Sequence, residues 1–382
     1  MEDDKQFKEG LEDVIAGTSA ICDVNGAEGK LIYAGYDIHD LAENATFEEV
    51  VFLLWNLRLP NKAELEALNA QLDANRALPA GVIGILRSLP KDALAMDVLR
   101  SGVSLLGIYD SDTGDESIEA NQRKAIRLVA QLGTLITAFE QIRNGREPIA
   151  PKAGLSTAAN FLYTLTGKEP DETATRALDV ALILHADHEL NASTFSARVT
   201  VATLADMYSA ITSAVGTLSG ALHGGANVNV MHLLAEIGTP DRAEQVVTDM
   251  LASGKKVPGI GHRVYRTLDP RAVSLRLMSE KLAEATGDSK WYEISERVQE
   301  AADKALLAKG KTTLKANVDF FSASVYHVLG IPTDLFTPVF AVSRVSGWTA
   351  HVLEQLKNNR LIRPRAIYTG PRDLKVTPIS ER

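Results

Sequence analysis

The chain has 382 residues, of which 45% are hydrophobic and 23% charged, and a formal charge of −9. This length and balance suit a globular protein with a sizeable core, built as one large domain or two unequal ones. A net acidic chain lacks the basic face of a general nucleic-acid binder, and no apolar run reaches the ~20 residues that span a bilayer. The single cysteine, Cys22, rules out an intrachain disulfide and fits a reducing compartment. Residues 1–5 are acidic and polar, unlike a secretory or transit leader, so a cytoplasmic location is expected.

The best β candidate comes first, at residues 19–33. Two short apolar runs, Ile21-Cys22 and Leu31-Ile32-Tyr33, flank Asn25-Gly26-Ala27-Glu28-Gly29, whose residues tolerate positive φ and predict a small hairpin. Almost everything after it reads as helix. Thr46 and Glu49 form a capping box ahead of Val50, Val51, Leu53 and Leu54. Pro60 ends that element, and Asn61 caps a helix over 62–75. Pro79 and Pro90 punctuate short helices, and 110–116 is an acidic loop. Further helices are predicted over 119–143, 155–166, 174–188, 199–218, 241–253, 272–286, 291–308, 320–329 and 338–358. Residues 363–382 hold three prolines and read as an extended tail. No alternation of strands and helices supports a doubly wound sheet, so the fold class is all-α.

Four of the eight histidines stand in polar or glycine-rich surroundings. His223 lies between Gly220 and Gly224-Gly225, where glycines let a ligand approach the backbone, and Asn227 could hold the imidazole or a substrate group. A histidine that merely sits in a glycine turn reads the same way. His262 follows Pro258-Gly-Ile-Gly261, with Lys255, Lys256, Arg263, Arg266 and Arg271 around it, a pattern that suits an anionic ligand or a solvated surface. Gly259-x-Gly261 lacks the strand and third glycine of a dinucleotide fingerprint. Asp319 is flanked by Val318, Phe320 and Phe321, and desolvation there would raise its basicity; it could equally cap the helix that follows. Arg344 lies in an apolar helical run and needs a partner, either a bound carboxylate or a buried ion pair. His185, Asp187 and His188 form a histidine–carboxylate cluster.

Together the segments His185-Ala-Asp-His-Glu-Leu-Asn-Ala-Ser-Thr194, Leu222-His-Gly-Gly-Ala-Asn227, Pro258-Gly-Ile-Gly-His-Arg-Val-Tyr-Arg266 with Asp269-Pro-Arg271, Asn317-Val-Asp-Phe-Phe-Ser322, Phe336-Thr-Pro-Val-Phe-Ala-Val-Ser-Arg344 and Arg363-Pro-Arg365 resemble the citrate synthase family over nearly the whole chain. The resemblance implies a large helical domain, 1–220 and 331–382, a small helical domain, 221–330, and a homodimer with shared active sites. It implies condensation of acetyl-CoA with oxaloacetate, with Asp319 as base, His223 stabilising the enol and His262 protonating the oxaloacetate carbonyl. His188, Arg271, Arg344 and a partner's Arg363 would hold oxaloacetate. Lys256, Val257, Pro258, Gly259, Ile260, Gly261, Arg266, Lys315 and Asn317 would receive CoA. No metal or redox cofactor is implied.

Ala221 and Ala323 stand where the family often has proline and glycine, which bears on loop geometry and substrate preference. The chain lacks the longer N-terminal region of the NADH-regulated hexamers, so a dimer without that inhibition is expected. The nearest rival is 2-methylcitrate synthase, which uses propionyl-CoA; one methylene in a pocket is worth only ~1–3 kcal/mol. A metal-dependent all-α phosphohydrolase on His185, Asp187 and His188, and a non-catalytic acyl-CoA-binding scaffold, are the more distant alternatives.

Overall fold

The computed structural model describes residues 8–11 and 14–382; the acidic start at residues 1–5 lies outside them. A small antiparallel sheet opens the described chain: β1 (Cys22–Asn25), β2 (Lys30–Tyr33) and β3 (Tyr36–Asp37), paired in that order. The expected hairpin is present, with Cys22 opposite Tyr33 and Asn25 opposite Lys30. The Asn25 side chain accepts from the backbone of Ala27 (3.2 Å) and Glu28 (3.1 Å), which shapes the turn. The third strand, two residues long, is too short to leave an alternation signal.

The rest is helical: α1 (Ile38–Asn44), α2 (Phe47–Asn56), α3 (Lys62–Asn75), α4 (Ala80–Ser88), α5 (Ala95–Tyr109), α6 (Ile118–Arg143), α7 (Thr157–Thr166) and α8 (Glu172–His185). Then come α9 (Ala192–Val201), α10 (Met207–Leu218), α11 (Ala226–Ile237), α12 (Ala243–Ala252), α13 (Pro270–Thr286), α14 (Lys290–Ala308), α15 (Val318–Val328) and α16 (Phe336–Lys357). The helices starting at Phe47 and Lys62 carry reciprocal capping boxes, Thr46 with Glu49 and Asn61 with Glu64. α16 is buried without a break from Phe336 to Val352. A helix apolar on all sides belongs inside the protein, and α6, α8, α9 and α10 surround it.

Two expectations need correction. Residues 199–218 do not form one helix. A left-handed turn at Leu204 (φ 66°) separates α9 from α10, and Asp206 caps the new helix by accepting from Ser209 N at 3.0 Å. The apolar spacing continues through both helices and hides the break. Conversely, α11 was unexpected, because Gly224-Gly225 reads as loop and the asparagines after it dilute the apolar pattern. α11 to α15 pack chiefly on one another, while α13 also rests on α8 and α1. No described helix is long and apolar enough to cross a membrane.

Candidate active site

The loop between α12 and α13 carries His262. Its glycine-rich start is pinned to the segment before α15: Gly261 N donates to Lys315 O (2.7 Å), Asn317 N to Gly259 O (2.9 Å) and Asn317 Nδ2 to Gly261 O (2.8 Å). A Cβ on Gly259, whose φ is 74°, would come within 2.7 Å of Val230 and 2.9 Å of Phe320, so only glycine fits. The two parts expected to receive CoA are therefore one ladder, seated between α11 and α15.

His262 Nδ1 accepts from the backbone of Val264 (3.0 Å) and Tyr265 (3.1 Å). Those donors leave the proton of the neutral ring on Nε2. Burial, then the Arg271 charge, pulls its pKa down to about 4, so at neutral pH it is an uncharged donor. His188 lies beside it with ring centroids 5.4 Å apart, and its Nε2 meets the Tyr265 hydroxyl at 3.2 Å. Burial and the nearby Arg271 hold the His188 pKa well below the usual range.

Arg271 and Asp269 form a buried fork, Nε to Oδ1 at 2.9 Å and Nη2 to Oδ2 at 2.8 Å. Burial opposes ionisation of Asp269, but the Arg271 charge and hydrogen bonds outweigh it and keep the carboxyl below its usual range. Asp269 also caps α13 and accepts from Val318 N at 3.0 Å, which ties this loop to α15. One terminal nitrogen of Arg271, Nη1, has no hydrogen-bond partner among the described residues.

Asp319 is not the helix cap. Asn317 takes that place, accepting from Asp319 N at 3.0 Å. The Asp319 carboxylate accepts no hydrogen bond among the described residues. Burial pushes its pKa up to about 6, against the lowering by Arg271 and Arg344. A carboxylate with this pKa and no partner is suited to proton abstraction near neutral pH.

His223 sits in the turn between α10 and α11. The turn hangs from α16, where the Thr337 hydroxyl donates to Gly224 O at 3.0 Å. A Cβ on Gly224 would lie 2.4 Å from Leu218 O, which explains the glycine. Ser193 N donates to His223 Nε2 at 3.3 Å, and Ser193 Oγ stands 2.8 Å from the same nitrogen, itself receiving Trp348 Nε1 at 3.1 Å. The His223 proton is thus on Nδ1, the reverse of His262. Burial, then Arg344, lowers its pKa to about 4. No hydrogen bond joins Asn227 to this imidazole among the described residues; its oxygen accepts from Val228 N at 2.8 Å, and its buried amide nitrogen has no partner there.

Arg344, 1% exposed, donates from Nε to His185 O at 2.6 Å, and its Cζ lies 4.6 Å from the Phe340 ring centroid. It forms no buried ion pair among the described residues, and both terminal nitrogens lack partners there. Its charge lowers the pKa values of His188, His223 and Asp319 alike. Of the further candidates, Arg363, Lys256 and Arg266 are exposed, Val257 is buried and Lys315 pairs with Asp303 at 2.8 Å.

The cluster read from sequence at 185–188 divides into separate tasks. His185 Nδ1 donates to Ala181 O at 2.7 Å inside α8. Asp187 Oδ2 meets His351 Nε2 at 3.2 Å, His351 Nδ1 accepts from Arg198 at 3.0 Å, and Arg198 pairs with Glu354 at 2.6 Å. Among the described residues no three His, Cys, Asp or Glu side chains group as metal ligands. Ser193, Tyr265 and Asp269 lie inside the motifs but had no expected task, and neither had Trp348, which ends the apolar run around Arg344. The Asp-Pro step before a helical run was the signal for the Asp269 cap; nothing local marks Ser193 or Trp348.

Two neutral histidines with opposite tautomers, a free carboxylate of raised pKa and two buried guanidiniums with unpartnered nitrogens can hold a dianion, abstract a carbon-bound proton and stabilise two developing oxyanions. Comparison with known proteins shows the family. A family model described as "Citrate synthase, C-terminal domain" matches residues 10–365. The chain is 53% identical to citrate synthase 2 of Bacillus subtilis over 98% of both chains, and 49% identical to the citrate synthase of Haloferax volcanii over 99% of both. Relatives also include the 2-methylcitrate synthase of Shewanella oneidensis, 43% identical over 98% of this chain and 97% of that one. The Thermoplasma acidophilum citrate synthase, solved as a ternary complex with carboxymethyl-coenzyme A and oxaloacetate, superposes with a TM-score of 0.91 at 34% identity, covering 99% of this chain and 100% of that one. Matched in sequence and fold from end to end, this chain is a member of the citrate synthase family.

Proposed function

We propose that the protein is a citrate synthase that condenses acetyl-CoA with oxaloacetate and water to citrate and CoA. The observation that carries this reading is the pair of neutral, oppositely protonated histidines together with a buried Asp319 carboxylate that has no hydrogen-bond partner among the described residues. Asp319 removes a proton from the acetyl methyl while His223 Nδ1–H donates to the thioester oxygen as the enol forms. The enol carbon then attacks the ketone carbon of oxaloacetate, and His262 Nε2–H donates to the oxygen on which charge develops. Water hydrolyses the resulting citryl thioester, releasing CoA. Each well-placed donor is worth roughly 3–4 kcal/mol at the transition state. Proton transfer, carbon–carbon bond formation and thioester hydrolysis call for no metal or redox cofactor.

His188, Arg271 Nη1 and the terminal nitrogens of Arg344 hold the oxaloacetate carboxylates, with Arg363 supplied by the partner of a homodimer. The exposed position of Arg363 on the C-terminal tail supports that assignment. CoA lies along 256–261 and 315–317, with Arg266 nearby. Residues 221–330 act as a small domain that closes on the remainder, 1–220 and 331–382, and excludes water. The enzyme works in the cytoplasm.

A thiol-release assay with oxaloacetate and either acyl-CoA tests the function. Release that depends on oxaloacetate, with higher kcat/KM for acetyl-CoA than for propionyl-CoA, is expected. The reverse order would make the protein a 2-methylcitrate synthase, and no release would leave a binding scaffold. Mixed dimers of Arg363 and Arg344 variants should regain activity absent from either parent; failure to do so would refute the shared site.

A further inference from the structure

The β1–β2 hairpin touches both histidine segments of the site. At one end, the buried Tyr33 hydroxyl donates to Asp187 O at 2.9 Å and accepts from Asp187 N at 3.2 Å, next in sequence to His188. At the other, Gly26 O accepts from Arg266 N at 2.9 Å, in the loop whose Val264 and Tyr265 amides orient His262. The hairpin and loop touch so closely that a Cβ on Gly26 would lie 2.3 Å from Val264 O, and one on Gly29 would lie 2.7 Å from Thr267. Between the two ends runs β1, paired in register with β2. A strand advances about 3.3 Å per residue, so the span from Cys22, opposite Tyr33, to Gly26 is about 13 Å of hydrogen-bonded backbone.

We infer that this hairpin is a brace that sets the position of His262 relative to His188, making Gly26 and Tyr33 positioning residues for oxaloacetate. The inference rests on the function proposed above. The two histidines come from segments far apart in the chain, yet their rings stand 5.4 Å apart. Tyr265, 1% exposed, reaches across from the loop to His188. The bond from Gly26 to Arg266 fixes the far end of the same loop. Displacing Val264 O would move the backbone amides that donate to His262 Nδ1, and with them its tautomer and aim.

Three variants separate bracing from stability. Gly26 does not have positive φ, so Gly26→Ala leaves the hairpin backbone unstrained and acts through the clash with Val264. Its kcat/KM for oxaloacetate should fall about 10²-fold, the effect of a misplacement near 1 Å. Tyr33→Phe removes one hydroxyl at the other end and should cost about tenfold. Gly35→Ala strains the β2–β3 turn (φ 94°) with no atom within 4 Å of the new Cβ. It should lower Tm and leave kcat/KM within twofold of the parent.

Imidazole 15N shifts supply a readout independent of turnover: His262 should show bare Nδ1 and protonated Nε2 in the parent, and a perturbed pattern in Gly26→Ala. Parent-like shifts and kcat/KM in Gly26→Ala would overturn the brace. So would activity losses in all three variants that merely follow their Tm. If Gly26→Ala does not fold, unchanged kcat/KM and unchanged His188 shifts in Tyr33→Phe would overturn it. Failure of the catalytic reading would instead appear as absent thiol release in the parent.

Discussion

The segment 262–271 and the seam between α8, α9 and α16 hold their site residues by opposite means. In the segment, His262 is oriented by backbone amides two and three residues away, and Arg271 by a carboxylate two residues away. In the seam, His223 depends on Ser193 thirty residues away, Trp348 supports Ser193 from a distance of 155 positions, and Arg344 leans on His185 from 159. Such a segment orients its own side chains, while its placement against His188 depends on the hairpin. The seam keeps its geometry only while the helices remain packed. Substitutions in the first should change the site with little change in Tm, and those in the second should change both.

Asp319, in α15 beside the Val318 that Asp269 ties to the segment, gives the largest expected effect. Asp319→Asn should lower kcat by about 10²–10⁴ without unfolding the protein. Its folded-state pKa of about 6 lies above the ordinary carboxylate value, so the folded protein holds this proton more tightly. That contribution to stability is full below about pH 4 and is lost as pH rises through 6, where the charge costs up to about 3 kcal/mol. Asp319→Asn should therefore raise Tm at pH 8 and leave it unchanged at pH 4. The kcat/KM of the parent should climb through pH 6 and level off, because both histidines titrate near 4. An acid limb centred near pH 4 would assign the base elsewhere.

Asp269→Asn probes the local fork. Breaking one partner of a buried ion pair costs about 3–5 kcal/mol, and denaturant unfolding should show that loss together with a weakened grip on oxaloacetate. It is the severe exception to the rule of small Tm changes, because Asp269 also receives Val318 N from α15.

In the seam, Arg344→Lys should raise the oxaloacetate KM by about 10–100-fold, since lysine cannot reproduce the fork. Ser193→Ala should cost about tenfold in kcat and also lower Tm, because it leaves Trp348 Nε1 without its acceptor. A loss of activity at unchanged Tm in Ser193→Ala would erase the distinction between the two regions.

Smallest of all, replacing the exposed Lys256 or Arg266 by alanine should raise the acetyl-CoA KM a few-fold, and less so at high salt, as screening of exposed charges requires. Salt-independent losses would mean these side chains do more than attract the anion.

Much of this was legible in the amino-acid order. The capping box at Thr46, the cap at Asn61 and the Asn25-Gly26 turn are local signals, and the structure realises each where it was expected. The break at Leu204 and the helix at Ala226 escaped because apolar spacing crosses the first and glycine and asparagine mask the second.

The sequence alone determined which residue types stand in which motifs, and so the kind of chemistry available, because spacing and neighbours are properties of a short stretch of chain. Only the tertiary structure decided the protonation of His223, the replacement of Asp319 by Asn317 as helix cap, the absence of a buried ion pair at Arg344 among the described residues and the bridge from Tyr33 and Gly26 to the two histidine segments. A tautomer, a pKa and a free lone pair depend on which distant groups are brought within hydrogen-bonding reach and on how much water they displace, and both are settled by packing.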